Sequence, residues 1–389
     1  MPARPSEICL RLNIEALCAY LDAEKPLLPE PDEVHRFLDA VNKYGKHCSS
    51  TGEFSLSLEE LKKSLLDPAC PKFYRERLSS PFVQLSIFKN FSNAYFRVPV
   101  EDFQLVVETI NDYVVERWKL TAYAATNGRI LGEKDMNEYL TAFIREYANF
   151  PEEDVDYALC IYRSKFSFCL DGAGTSNYQI KDLLSSGLVR EMRDSLALDS
   201  NNWFSKTNLL RILGEFQALD TNQDGLLNYE ELKAMEDVNP EFVYRLCQKK
   251  MSFENDGIDF GAFCTYRLAM DNPHCLATCR YLFDIFDGDG DGLLTIEDLR
   301  ALLVALRKKL YEREYMDIPK SDDVLLAEML DCVGCADLQR MSLKQICRSG
   351  LAHVFLRIFV NTEEFINYDL RETEPEKDPA GPISSRLYP

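Results

Sequence analysis

Asp287-Gly288-Asp289-Gly290-Asp291-Gly292-Leu293-Leu294-Thr295-Ile296-Glu297-Asp298 is the stretch on which the reading of this chain turns. Oxygen-bearing side chains at its positions 1, 3 and 5, Asp287, Asp289 and Asp291, can converge on one hard cation. Gly292 at position 6 permits a sharp turn, and Leu293 at position 7 offers its backbone carbonyl. Thr295 stands at position 9, where a water commonly bridges to the ion, and Asp298 at position 12. Cys279, Leu282, Phe283 and Phe286 form an apolar stripe before the loop, and Leu299, Leu302, Leu303 and Leu306 form another after it. Both stripes have helical spacing.

Two amphipathic helices around a twelve-residue acidic loop make an EF-hand unit, whose ion is Ca2+. A second match runs from Asp220 to Glu231. Its expected ligands are Asp220, Asn222, Asp224, the Leu226 carbonyl, Asn228 and a bidentate Glu231. Ile212, Phe216 and Leu219 give the entering helix an inner face, and Pro240 is expected to stop the exit helix soon after Met235. The bland alternative, a solvated acidic turn, requires the loop pattern and both flanking stripes to be coincidence. The loops differ at position 12, where Asp298 is one methylene shorter than Glu231 and presents one oxygen rather than two. That predicts weaker calcium binding or tolerance of Mg2+ at the Asp287 loop. Its three carboxylates at positions 1, 3 and 5, against two in the Asp220 loop, pull the other way. The order of affinities stays open.

Other stretches keep the outline without the chemistry. Asp171–Asp182 has Ala173 at position 3, and Tyr123–Lys134 keeps Gly128 and Ile130 but has Ala125 at position 3 and Lys134 at position 12. Gly257-Ile258-Asp259-Phe260 and Gln339-Arg340-Met341-Ser342-Leu343 look like the strand-and-exit halves of two more. EF-hands pack in pairs, so each competent loop is expected beside a silent, metal-free neighbour. Elsewhere the period is helical, as in Phe103, Val106, Val107 and Ile110, and few segments alternate with period two. The expected fold is all-α, an elongated array of EF-hand-like helical pairs in two lobes. Its expected parts are an N-terminal helical region (1–75), a lobe of degenerate repeats (76–198), the lobe carrying both calcium loops (199–371) and an unpacked tail (372–389).

The 389 residues hold 44 Lys+Arg against 64 Asp+Glu, a net charge of −20. That disfavours nucleic acid and anionic membranes as partners and suits metal cations or a basic patch on another protein. Arg4, Glu7 and Arg11 interrupt any secretory apolar region, and no apolar run approaches the ~18 residues of a membrane span. The 13 scattered cysteines fit a reduced cytosolic or nuclear protein. Among His35, His47, His274 and His353, the last sits in an apolar helical run and reads as a core or partner-facing residue. His274, Cys275 and Cys279 with Cys332 and Cys335 could be imagined as a zinc site. Cys279, however, already belongs to the helical stripe, and a single CxxC lacks its partner pair. Gly172-x-Gly174 followed by Asn177 fails the dinucleotide fingerprint, and no P-loop or GxSxG occurs. The residues therefore predict a calcium-responsive adaptor without catalysis. A free-standing EF-hand sensor or buffer is the alternative, and an EF-hand-gated hydrolase has little behind it.

The order Asn202-Trp203-Phe204-Ser205, the Asp220 loop, Gly257-Ile258-Asp259-Phe260, the Asp287 loop, Ser342-Leu343 and Cys347-Arg348-Ser349-Gly350-Leu351-Ala352-His353-Val354-Phe355 resembles a known family. It is similar to the B double-prime regulatory subunits of protein phosphatase 2A, in their gamma and FASS/TONNEAU2-like branch. The run Asn361–Tyr368 looks like that family's closing helix, and Phe73-Tyr74 and Gly128–Leu131 echo its pattern more faintly. Asp298 departs from the usual Glu. The resemblance implies a non-catalytic protein that binds the phosphatase scaffold and catalytic subunits, chooses substrates and responds to calcium. For location it points to the cytoplasm or nucleus, with centrosomes and microtubules as sites of attachment.

Overall fold

The computed structural model describes residues 32–47, 54–81, 83–84, 87–88, 92, 96–124, 129–148, 150–172, 174–195, 202–250, 257–315, 321–335 and 340–370. The expected tail, the first 31 residues, and Ala125, Gly128, Ala173 and Gln339 lie outside them. The fold is all-α, with strands of only two or three residues joining helices in pairs. The described residues fall into two compact units. One is drawn from Met1–Asp135 and Tyr178–Gly187, the other from Met136–Asn177 and Leu188–Gly381.

In the first unit, β1 (Lys46–His47), β2 (Phe54–Leu56) and β3 (Val98–Pro99) form an antiparallel sheet that pairs Leu56 with Val98. Around it stand α1 (Glu33–Tyr44), α2 (Leu58–Leu66), α3 (Lys72–Leu78) and α4 (Val100–Tyr123). Ser57 caps α2 through a capping box with Glu60, and Arg97 holds that buried carboxylate at 2.7 Å. Phe37 stacks on Tyr74 with ring centroids 4.5 Å apart, over a core that includes Leu61, Phe103 and Val107. The side chains of Val106 and Ile110, expected on the same stripe, lie outside the described ones. A second short ladder joins β4 (Ile130–Leu131) to β5 (Tyr178–Gln179), ahead of α5 (Glu133–Phe143) and α7 (Ile180–Ser185), with α6 (Val155–Leu170) between them in the chain. Leu131, not Ile130, faces Tyr178 across it. The degenerate loop therefore sits one residue later than the 123–134 reading, ending at Asp135, whose carboxylate accepts the Gly132 N–H at 3.2 Å. The reason is burial. Leu131 is fully buried, whereas Ile130 is only half-buried.

The second unit contains α6, α8 (Leu188–Asp194), α9 (Lys206–Leu219), α10 (Tyr229–Lys233), α11 (Pro240–Lys250), α12 (Phe260–Asp271), α13 (Leu276–Phe286), α14 (Ile296–Glu312), α15 (Asp322–Cys332), α16 (Leu343–Cys347), α17 (Ala352–Ile358) and α18 (Thr362–Leu370). The boundary expected near 199 does not separate the units, because the Trp203 indole N–H donates to the Ile161 carbonyl at 3.1 Å. The Tyr162 hydroxyl likewise donates to the Phe204 carbonyl at 3.0 Å, welding α6 to the turn before α9. Pro240 does not end α10, which stops by itself at Lys233. Pro240 opens α11, where its missing N–H would have had no helical partner.

The segment 237–239 is stitched to the turn between α17 and α18. Asn239 and Thr362 donate their N–H groups to the Val360 and Asp237 carbonyls, and the buried Asn239 amide donates to the Leu302 and Phe359 carbonyls at 2.9 and 2.8 Å. Asn239→Ala removes the amide donor from both carbonyls, of which Leu302 keeps its partner within α14, and is expected to lower unfolding free energy by about 1–2 kcal/mol. Urea denaturation of the full chain measures this. An unchanged midpoint would show that water replaces the amide without loss.

Candidate metal centre

The Asp220–Glu231 loop leaves α9, which Ser205 caps by accepting the Asn208 N–H, and whose Ile212 and Phe216 are buried. The loop wraps around its first carboxylate. Asp220 accepts N–H groups from Asp224 at 3.2 Å and Gly225 at 3.0 Å, while Asp224 accepts the Leu226 N–H at 2.8 Å. Asn222 accepts the Asp224 N–H at 3.0 Å and donates its amide to Asp224 Oδ2 at 2.9 Å. Gly225, at the sixth position, has φ +80°, a region open to glycine. Asn228 caps α10 in a reciprocal box with Glu231. The other oxygen of Glu231 reaches back to the first turn of the loop, accepting the Thr221 N–H at 2.9 Å and hydroxyl at 2.8 Å. Burial pushes the Glu231 carboxyl up, but these hydrogen bonds from Asn228 and Thr221 outweigh it and hold it below the usual carboxylate value. It is thus ready in the anionic form a cation needs.

The Asp287–Asp298 loop repeats the plan. Asp287, 5% exposed, accepts N–H groups from Gly290 and Gly292, both at 2.8 Å, and Asp291 accepts the Leu293 N–H at 2.9 Å. The carboxylate oxygens of Asp287, Asp289 and Asp291 lie within 4.8 Å of one another. Among the described residues, no other three His, Cys, Asp or Glu side chains do so. Three like charges that close favour a cation among them, and the donors are all oxygen, as a hard ion requires. Thr295 and Asp298 hold each other instead. The Thr295 hydroxyl donates to Asp298 Oδ2 at 2.6 Å and accepts the Asp298 N–H at 3.1 Å, which caps α14. Leu226 and Leu293 stand in the turns just before the paired residues Leu227 and Leu294.

Each loop has the partner that the spacing predicts. Leu227 and Ile258 exchange two backbone hydrogen bonds of 2.9 Å, and β6 (Leu294–Thr295) pairs with β7 (Arg340–Met341), setting Leu294 against Met341. All four of these side chains are fully buried. Ala262 and Gln345 stand where a position-12 carboxylate would be, at the third residue after the helix caps Asp259 and Ser342. In the degenerate Asp171 loop, the carboxylate accepts the Thr175 and Ser176 N–H groups at 2.9 and 2.6 Å.

Two arginines were not singled out in the sequence. Arg340, on β7 of the silent neighbour, forms an ion pair with Asp291. Arg245, on α11, donates to the Phe286 carbonyl at 2.6 Å and the Asp298 carbonyl at 3.0 Å, and its Nε meets Glu241 at 2.9 Å. It bridges the end of the entering helix α13 and the first turn of the exit helix α14. Only the Glu241/Arg245 spacing of four residues hinted at it, and nothing local told that its fork reaches a loop over forty residues away. His353 is half-buried with its ring 4.5 Å from that of His274, and burial followed by the His274 charge lowers its pKa.

A family model described as "EF-hand domain" matches residues 278–307, and another described as "EF hand" matches 213–235. The gamma member of the B'' regulatory subunits of serine/threonine-protein phosphatase 2A from Danio rerio is 22% identical over 396 residues, covering 96% of this chain and 82% of that protein. The serine/threonine-protein phosphatase 2A regulatory protein rsa-1 of Caenorhabditis elegans is 24% identical, covering 75% of this chain and 74% of that protein. TON2 of Arabidopsis thaliana, a probable B'' regulatory protein of the same phosphatase, is 23% identical, covering 85% and 76%. A solved chain described as a PP2A PR70 holoenzyme in a diCa form matches with TM-score 0.56 at 18% identity, over 64% of this chain and 96% of that one. At that identity the likeness establishes the fold, an EF-hand array.

Arg340→Gln removes a cation that competes for Asp291. Calcium affinity at the Asp287 loop is expected to rise by about two- to fivefold, the range of an exposed ion pair worth up to ~1 kcal/mol. Asp298→Glu adds the second oxygen at position 12 and is expected to raise it further. Calorimetric titration of each variant in an Asp220→Ala background isolates this loop. Weaker binding in Asp298→Glu would mean that the backbone has closed around the shorter side chain.

Proposed function

We propose that this chain, a relative of the B double-prime regulatory subunits of protein phosphatase 2A along 96% of its length, is a calcium-binding, non-catalytic regulatory subunit of that phosphatase. The extent of that alignment carries the proposal. It runs through the degenerate repeats as well as both loops and spans 82% of the Danio rerio protein, so more than a shared EF-hand motif is matched. In that role it binds the scaffold and catalytic subunits together and directs substrate choice. Its part is binding rather than bond-making.

Two calcium sites belong to the proposal. Asp220, Asn222, Asp224, the Leu226 carbonyl, Asn228 and Glu231 hold one ion. Asp287, Asp289, Asp291, the Leu293 carbonyl, Thr295 and Asp298 hold the other. The ion neutralises the clustered acids and draws the start of each loop to the helix that follows. In the second EF-hand, Arg245 already ties α13 to α14 by their backbone carbonyls, which resists a change of interhelical angle. Calcium there works mainly by ordering the loop. Cytoplasmic or nuclear residence, with centrosomes or microtubules as attachment sites, is also proposed, and imaging of a tagged chain tests it. No helix of the described residues is long and apolar enough to cross a membrane.

The free-standing sensor fits less well. A sensor opens an apolar groove to a target helix, but here α17 covers the apolar face of the entering helix α13. Phe355, Leu356 and Phe359 are fully buried, and the Phe359 ring lies 6.0 Å from that of Phe286. The groove already holds a helix of the same chain.

Two outcomes are expected. The Asp220→Ala/Asp287→Ala double variant loses stoichiometric calcium binding by calorimetry, where persistent binding would place the ion elsewhere. On a sizing column the purified chain co-migrates with the scaffold and catalytic subunits and shows no phosphatase activity alone. Absence of co-migration with and without calcium would remove the regulatory-subunit reading.

A further inference from the structure

The second unit carries a groove of about 670 Å³ between α15, α17 and α18. Leu351, Val354 and Tyr368 give it apolar lining, and Glu328, Asp331 and Asp369 line it with carboxylates. Asp369 accepts the Tyr315 hydroxyl at 2.6 Å, whereas Glu328 and Asp331 are exposed and make no ion pair among the described residues. Among the described residues, no lysine or arginine lines the groove. The apolar surface continues beyond it. Val324, Glu328 and Asp331 share one stripe of α15 at i, i+4 and i+7, Val324 is 50% exposed, and Leu351 is 41% exposed. Exposed apolar area next to carboxylates without counter-ions is not explained by the fold, since the faces of these helices that pack inward, Leu325, Leu326, Met329, Phe355 and Phe365, are separately buried.

We propose that this groove docks a basic amphipathic helix of another protein. Charge complementarity selects the occupant. The carboxylates attract Lys and Arg flanking an apolar stripe, while leucines or aromatics at i, i+3, i+4 and i+7 meet Leu351, Val354 and Tyr368 in a helix-in-groove mode. A second copy of this chain, at net charge −20, is repelled from the same surface. A metal ion is no better, because these carboxylates do not converge as Asp287, Asp289 and Asp291 do. Cys332 lines the groove, and its half-buried thiol reports on occupancy. The proposal stands apart from the phosphatase reading, since it concerns the isolated chain and survives whether or not that chain joins the enzyme.

The probe is a fluorescein-labelled fifteen-residue peptide with leucines at helical spacing and lysines elsewhere, titrated by anisotropy into the full-length chain. A matched peptide with glutamates for lysines is the comparison. Glu328→Lys/Asp331→Lys is expected to weaken binding at least tenfold. Glu153→Lys/Glu236→Lys changes the net charge equally on exposed sites away from the groove and should weaken it less than threefold. Leu351→Ser, at an exposed helix cap that tolerates a hydroxyl, is expected to weaken it severalfold without loss of helical circular dichroism. Saturating lysine peptide should slow iodoacetamide labelling of Cys332 in the wild-type chain at least fivefold by mass spectrometry, leaving Cys160 unchanged. Equal losses in the groove and control variants would show that the peptide reads only net charge and would overturn the proposal. So would unprotected Cys332 in the wild-type chain, which needs no variant to fold, or equal binding of the glutamate peptide.

Discussion

Every EF-like pair among the described residues hangs on one small contact, a backbone ladder of a residue or two flanked by buried side chains. Leu56 meets Val98, Leu131 meets Tyr178, Leu227 meets Ile258, and Leu294 meets Met341. Each contact satisfies backbone groups that would otherwise be buried unpaired, and it places two helix caps side by side immediately afterwards. The helices inherit their directions from that point. A loop can lose its ligands without losing the fold, because the ladder needs only extended backbone and an apolar side chain, whereas the ion needs about six to eight oxygens.

That separation explains how much was legible in the residues. The two competent loops carry both the ladder and the ligands, so their register could be counted from Asp287 and Asp220. Gly257-Ile258-Asp259 and Arg340-Met341-Ser342 kept the ladder residue and the cap, and their pairing was readable for the same reason. The 123–134 loop has Ala125 at position 3 and Lys134 at position 12, so too few ligands anchor its register; the reading that placed Ile130 in the ladder is one residue off, and burial chooses Leu131. The pair around Leu56 and Val98 was invisible. Its partners lie over forty residues apart with neither acidic loop nor glycine between them in the expected place, although the capping box Ser57/Glu60 was a local signal that a helix starts there.

Long side chains account for the rest of what the sequence concealed. Arg245 and Arg340 act on the Asp287 loop from elements distant in the chain, and an arginine's reach and orientation are set by packing rather than by spacing. Both bring positive charge to a loop with three clustered carboxylates. The loop is therefore less repulsive on its own than its composition implies, and any cation entering it must outcompete a guanidinium.

The filling of the α13 face by α17 has a consequence for how the chain is made. During synthesis the entering helix of the second EF-hand emerges about 70 residues before Phe359, roughly 4–15 s at ordinary rates of elongation. Throughout that interval the ribosome carries an EF-hand lobe with its apolar face uncovered, a surface that chaperones recognise and that incomplete chains can share with one another. A message truncated between Phe286 and Ala352 would release that surface permanently, so loss of the last forty residues should appear first as insolubility.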